Sequence, residues 1–209
     1  MMRVDTVASQ PDRAGRHTVR FEDGTVLRLY KQTVQDFGLY PGQELSVEEM
    51  NNLRSAAGAM SAKMRAVRIV AASNVSKRDL EQRLINKGED PKQAKEAVAW
   101  MDQLHLVDDR RTAEQIVQKC IHKGYGLSRA KQMLYEKRIP KEFWDEVLKN
   151  YPDQADAIVA YLQGHLDDAN DPRKLRKVMD ALIRRGHSYN QIRTALSLVV
   201  ADIDEIPEG

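Results

Sequence analysis

A mainly α fold is predicted for this 209-residue sequence, built as three tandem three-helix repeats behind a small β-rich N-terminal domain. Three observations predict it. A signature recurs as Leu84-x-x-Lys87-Gly88, Leu134-x-x-Lys137-Arg138 and Leu182-x-x-Arg185-Gly186, with steps of 50 and 48 residues between the leucines. Apolar residues repeat downstream of each leucine: Ala94 and Val98, Trp144 and Leu148, Ile192 and Leu196. Repetition at this period marks a helical unit that buries its apolar face against its neighbours. The first 57 residues lack that pattern and are rich in short β-forming runs. The chain thus divides into a β-rich domain, 1–57, and a repeat region, 58–209, with repeats at about 59–106, 109–150 and 153–203.

The N-terminal runs Val4–Val7, His17–Phe21 and Val26–Tyr30 read as strands. Glu22-Asp23-Gly24 joins the last two, and an Asp-Gly pair supplies positive φ values for a tight hairpin. A short helix is expected at Thr33–Phe37, followed by a turn through Gly38 to Gly42. Ser46, three residues before Glu49, makes a capping box for a helical exit.

From Ala59 onward the signals are helical. A helix is expected near Met60–Ser73, and Ser76 caps the next, which ends at Lys87-Gly88. Pro91, Asp108-Asp109, Ser128, Pro140, Asp153, Pro172 and Tyr189 open the others, giving nine helices in three sets. The acidic tail from Asp202 to Gly209 is expected to fray. Arg138 breaks the signature, standing where the other copies have Gly88 and Gly186. Since Ile139-Pro140 follows, a different turn is expected in this copy.

Composition argues against several classes. One cysteine, Cys120, excludes an internal disulfide, fits a reducing cytosol, and falls on a helix's apolar stripe as core filler. No apolar run approaches the roughly 20 residues that cross a bilayer, and Met1–Asp5 lacks a signal-peptide core. A cytoplasmic protein with no membrane association is expected. The histidines at 17, 105, 122, 165 and 187 show no metal-ligand spacing, and there is no phosphate loop or nucleophile elbow. Asp108-Asp109 reads as a helix cap rather than an acid/base pair, and Asp167-Asp168 is the other Asp-Asp pair. No enzyme, cofactor or metal is expected.

Charge placement says more than the net of +2. Between Lys119 and Lys141 seven cations (119, 123, 129, 131, 137, 138, 141) face one acid, Glu136. Arg173, Lys174, Arg176, Lys177, Arg184 and Arg185 face only Asp180. Between these blocks, residues 150–172 hold five aspartates and no Lys or Arg. The blocks are either solvated helix faces or a surface that meets phosphates or an acidic partner. Tyr125 and Tyr135 are the only rings in the central block, so stacking of single strands has little support.

These residues resemble the RecX regulators of bacterial recombination. The resemblance rests on Ser76-Lys77-Arg78-Asp79-Leu80 through Arg83-Leu84-Ile85-Asn86-Lys87-Gly88, then Leu106-Val107-Asp108-Asp109-Arg110-Arg111-x-Ala113. It continues in Lys123-Gly124-Tyr125-Gly126-x-x-Arg129 and Leu134-x-x-Lys137-x-Ile139, together spanning about 60–150. Phe37-Gly38-Leu39 and Pro41-Gly42-Gln43-Glu44-Leu45 resemble the extension of longer members. The family commonly has an aromatic where Thr112 stands and glycine where Arg138 stands. The resemblance implies an elongated, curved array of three-helix repeats that lodges in the groove of a RecA filament on single-stranded DNA and suppresses its activities, with weak DNA binding of its own. A monomer is expected, with partner-binding residues Lys77, Arg78, Arg83, Lys87, Arg110, Arg111, Lys123, Tyr125, Arg129, Lys131, Lys137, Arg138, Arg173, Lys174, Arg176, Lys177, Arg184 and Arg185. A stand-alone helical DNA-binding protein is the alternative, although no helix carries the Asn/Gln/Arg cluster that base readout wants. A helical scaffold for some other protein is the third reading.

Overall fold

The structure is a computed structural model that describes residues 1–166 and 171–204. Its fold is mostly helical with a small N-terminal antiparallel sheet. Two compact units divide at Val107/Asp108.

In the first unit, strands β1 (Met2–Val7), β2 (Arg16–Phe21) and β3 (Val26–Tyr30) precede helix α1 (Lys31–Asp36) and the two-residue strand β4 (Glu44–Leu45). The sheet order is β3-β2-β1-β4, with every pairing antiparallel. β4 has no sequence signal because two residues cannot show an alternation. In the β2–β3 loop Gly24 alone takes positive φ (86°), so the expected pair of positive φ values is corrected to one. Asp23 works differently: its carboxylate accepts from the Thr25 amide and hydroxyl, both at 2.9 Å, holding a three-residue loop. Val4, Val19, Phe21 and Leu29 from the strands pack with Leu39, Leu45, Met50 and Leu53 into one core.

Met50 and Leu53 belong to helix α2 (Val47–Ala72), one unbroken run of 26 residues. The two helices expected near Ser46 and near Met60–Ser73 are therefore a single element, and positions 57–58 fall inside it. No Gly-Pro punctuation interrupts this stretch, and Gly58 is tolerated because the helix lies against Gln93 there. Ser46 and Glu49 close the expected capping box: the Glu49 amide donates to Ser46 Oγ (3.1 Å), and the Ser46 amide to the Glu49 carboxylate (2.7 Å). Further along, Ala62, Ala66 and Ile69 of α2 pack with α3 (Lys77–Asn86) and α4 (Pro91–Gln103) around Leu80, Leu84, Ala94, Ala97 and Met101. Small alanines on α2 and α4 let the backbones approach closely.

The second unit holds two more three-helix sets. Helices α5 (Asp109–His122) and α6 (Leu127–Glu136), a 3-10 turn (Lys141–Phe143) and α7 (Trp144–Leu148) surround Ala113, Val117, Leu134 and Ile139. Asp108 caps α5 through the Arg111 amide (3.0 Å), as its position suggested. Thr112, where an aromatic is common, is buried and donates its hydroxyl to Asp108 O (2.7 Å). Cys120 is fully buried, burial pushes its thiol pKa up, and its sulfur contacts Met133 Sδ at 3.4 Å. Helices α8 (Ala155–His165), α9 (Pro172–Arg184) and α10 (Tyr189–Asp204) enclose Ile158, Leu162, Val178, Leu182 and Ile192. Asp167-Asp168 and residues 205–209 lie outside the described residues, so neither that carboxylate pair nor most of the acidic tail is placed.

The recurring signature is one backbone device. In α3 the Gly88 amide bonds Ile85 O and the Glu89 amide bonds Leu84 O. In α9 the Gly186 amide bonds Ile183 O and the His187 amide bonds Leu182 O. This is the double-bonded helix stop that requires a left-handed residue after the cap. Gly88 and Gly186 supply it, with φ of 88° and 91°. The middle copy makes the same turn: Arg138 has φ of 55°, its amide bonds Tyr135 O, and the Ile139 amide bonds Leu134 O. The expectation of a different turn there is overturned. Pro140 restricts only Ile139, which has already left the helix, and so leaves Arg138 free to turn left-handed. Each signature leucine is fully buried and also offers the carbonyl that closes the turn.

A non-glycine residue at such a φ costs about 1 kcal/mol. Arg138→Gly is therefore expected to raise stability by up to about 1 kcal/mol, and Gly88→Ala to lower it by a similar amount, since its new Cβ meets nothing within 4 Å. Chemical denaturation would check both, and a destabilised Arg138→Gly would mean that the arginine's contacts outweigh its backbone strain.

Candidate functional site

Within the second unit two helix stops face each other. At the end of α5 come Lys123, the left-handed Gly124 (φ 62°), Tyr125 and Gly126, which begins α6. At the end of α9 come Arg184, Arg185, Gly186 and His187. The Gly126 amide donates to Arg185 O (2.9 Å), and Arg185 Nη2 donates to Lys123 O (3.1 Å). A Cβ on Gly126 would stand 2.0 Å from Gly186 O, and one on Gly186 would stand 2.3 Å from the Arg129 amide nitrogen. The two backbones touch with no room for a side chain on either. This is why both positions are glycine, beyond the turn that Gly186 makes.

His187 locks the same seam. It is buried, with Nε2 3.0 Å from Gly124 O. A carbonyl only accepts, so Nε2 carries the proton and Nδ1 is the bare nitrogen. Burial pushes the His187 pKa down; the Gly124 bond opposes this, Arg185 reinforces it, and Asp153 opposes it weakly. The ring is held neutral.

Above the seam lies an open cleft of about 620 Å³, lined by Tyr125, Ser128, Arg129, Gln132, Tyr161, Ala181, Ile183, Arg184, Arg185 and Gly186. The Arg185 guanidinium sits 5.3 Å from the Tyr125 ring centre and 4.8 Å from that of Tyr161. Tyr161 is stacked on His165 with centroids 4.0 Å apart, and the Lys123 ammonium lies 5.9 Å from Tyr125. Tyr151 fixes the α5–α6 loop by donating its hydroxyl to Tyr125 O (2.6 Å), and its burial pushes the phenol pKa up to about 12. Two rings thus hold Arg185 in place without neutralising it, an arrangement cations favour. Arg129 shares its charge with Glu136 at 3.5 Å. Among the described residues no carboxylate pairs with Arg184 or Arg185. The cleft has no acidic lining residue.

The structure therefore gathers Lys123, Tyr125, Arg129, Arg184 and Arg185, which lie in separate stretches of sequence. It does not gather the rest. Lys77, Arg78, Arg83 and Lys87 belong to the first unit, where Lys77 pairs with Asp102 (2.7 Å) and Arg83 with Asp79 (2.9 Å). Arg110 pairs with Glu114 (3.3 Å) and Glu146 (2.5 Å), a structural tie between α5 and α7. Arg111, Lys131 and Arg138 lie outside the cleft, and so does Lys137. Arg173, Lys174, Arg176 and Lys177 stand on the first half of α9, the earliest of them roughly 15 Å along the axis from Arg184. Tyr135 is 72% exposed and not part of the cleft. The ring that joins Tyr125 is Tyr161, which sequence reasoning missed together with Gln132 and Ile183. Tyr161 lies in the acidic block, 36 residues from Tyr125, and no local spacing links them. Among the described residues no three metal-ligating side chains cluster, and no helix is long and apolar enough to cross a membrane.

Three comparisons bear on what this arrangement is. Residues 108–148 match the family model described as "RecX, second three-helix domain". The Regulatory protein RecX of Halorhodospira halophila is 30% identical over 161 residues, covering 74% of this chain and 99% of that one. The Regulatory protein RecX of Clostridioides difficile is 22% identical over 200 residues, covering 93% and 94%. A crystal structure of a regulatory protein RecX shares the fold, with TM-score 0.62 and 17% identity over 94% of this chain and all of that one.

The seam predicts two outcomes. Gly126→Ala and Gly186→Ala should each destabilise the second unit by at least about 1–3 kcal/mol, more than Gly88→Ala, because overpacking adds to any backbone strain. Thermal melts of the three variants check the order. Because folding disfavours the charged His187 ring, the unfolded chain takes up that proton first. Stability should be full above the ordinary histidine value of 6.5 and fall as pH drops below it. Urea titrations from about pH 8 down to about pH 5 should show stability falling more steeply with acid in the wild type than in His187→Gln, which has no proton to take up there.

Proposed function

The chain belongs to the RecX family of regulatory proteins, and on that premise we propose that it inhibits the RecA recombinase by binding in the groove of the RecA filament on single-stranded DNA. What supports the reading is the cleft of the second unit: cations from two three-helix sets converge where no acid lines the surface. Such a surface suits a partner that carries both protein carboxylates and phosphates. In this reading the three helical sets, at about 59–106, 109–150 and 153–203, lie along the filament. The cations of α3, α5, α6 and α9 make further contacts. The protein acts in the cytoplasm as a monomer, restrains recombination and the SOS response, and binds DNA weakly on its own.

The test is RecA ATPase on single-stranded DNA with this protein added far below the amount that would coat the strand. Loss of turnover is expected. Full turnover at such concentrations would sink the reading and favour a stand-alone DNA-binding protein. Reversing charge at Arg129, Lys131 and Lys137 together should weaken inhibition while circular dichroism stays helical. An unchanged inhibition curve for the folded triple variant would remove this face from the contact.

A further inference from the structure

We propose that the cleft of the second unit seats one nucleotide of a single-stranded nucleic acid, its phosphate against Arg184 and Arg185 and its unpaired base over Ile183. The inference rests for its setting on the function proposed above and names a ligand for one part of that surface. Its volume of about 620 Å³ lies within the range of small-ligand clefts. Its chemistry is divided as a nucleotide's is. Arg184 and Arg185 carry charge that no described carboxylate offsets, and Arg185 is held between Tyr125 and Tyr161 rather than free to swing. Ile183, 47% exposed, and Ala181 supply an apolar wall, while Gln132 offers an amide that can both donate and accept at a base edge.

Other occupants match less of this lining. A duplex keeps its bases stacked and could reach Ile183 only by flipping one out, which costs a few kcal/mol. An acidic peptide would answer the arginines, but a carboxylate side chain brings no flat apolar face to cover the wall of Ile183 and Ala181, which a base does. The cleft departs from the usual single-strand platform in one respect. Its tyrosines are already engaged, Tyr161 by His165 and Arg185 and Tyr125 by Arg185 and Lys123, so they orient cations and the base rests on the aliphatic wall.

The experiment measures anisotropy of a fluorescein-labelled oligodeoxythymidylate with this protein alone, so that it succeeds or fails without RecA. Arg184→Glu should weaken binding about tenfold or more, whereas Arg176→Glu, the same charge change on the same helix outside the cleft, should cost much less. Ile183→Asp, at an exposed position, should weaken binding of the single strand. Thermal melts would confirm that the variants are folded. A hairpin duplex of equal charge should bind more weakly than the single strand, and a polyglutamate peptide should not compete. Equal losses at Arg184 and Arg176, no effect of Ile183→Asp in folded protein, tighter binding of the duplex, or displacement by polyglutamate would each overturn the proposal. Such an outcome would leave RecA inhibition to be judged by its own assay.

Discussion

When the carbonyl of Leu84, Leu134 or Leu182 accepts the amide five residues on, the chain must place a left-handed residue between them, and everything after that helix is aimed by the choice. The leucine side chain is meanwhile buried in its own core. One residue thus couples core formation to the direction in which the third helix leaves. The residue after the left-handed position is also buried in each copy, as Glu89, Ile139 and His187. Each answers burial differently. Glu89 accepts from Arg65 (2.6 Å) and Ser61 (3.0 Å), Ile139 joins the apolar cluster, and His187 donates to Gly124 O. The backbone constraint is shared, while the side-chain solution is local.

The cleft follows from that constraint. Because two helix stops meet at Gly126 and Gly186 without side chains between them, the basic residues beside each glycine come to lie on one surface. Lys123 and Arg185 are cap residues at their own helix ends, where positive charge already complements the exposed carbonyls. Their convergence needs no additional element. It needs only that the turns touch, which a Cβ on either glycine would prevent.

The helical repeats, the capping residues and the core leucines were legible in the sequence because each is written in a local spacing. Ser46, Ser76 and Asp108 cap as their positions imply. What was not legible depends on partners distant in sequence or on backbone geometry. β4 is too short to carry a pattern, the fusion of two expected helices into α2 leaves no mark of its own, and Tyr161 meets Arg185 and Tyr125 only through the packing of two helical sets. Arg138 shows the opposite failure. Residue preference argued against a left-handed turn, but Leu134 and Ile139 on either side of it fill the core, and their burial outweighs about 1 kcal/mol of backbone strain.

Helix α2 carries one more implication. Its first turns complete the core under the sheet, and its later turns supply the alanines of the first helical cluster. A helix shared by two cores makes their folding cooperative, because fraying at its middle would expose both. The sheet is therefore not a detachable appendage. Cutting the chain near residue 57 would leave Met50 and Leu53 with one fragment and Ala62, Ala66 and Ile69 with the other, each on a helix that now ends beside its core, so a fragment ending or starting there inherits a frayed hydrophobic seal.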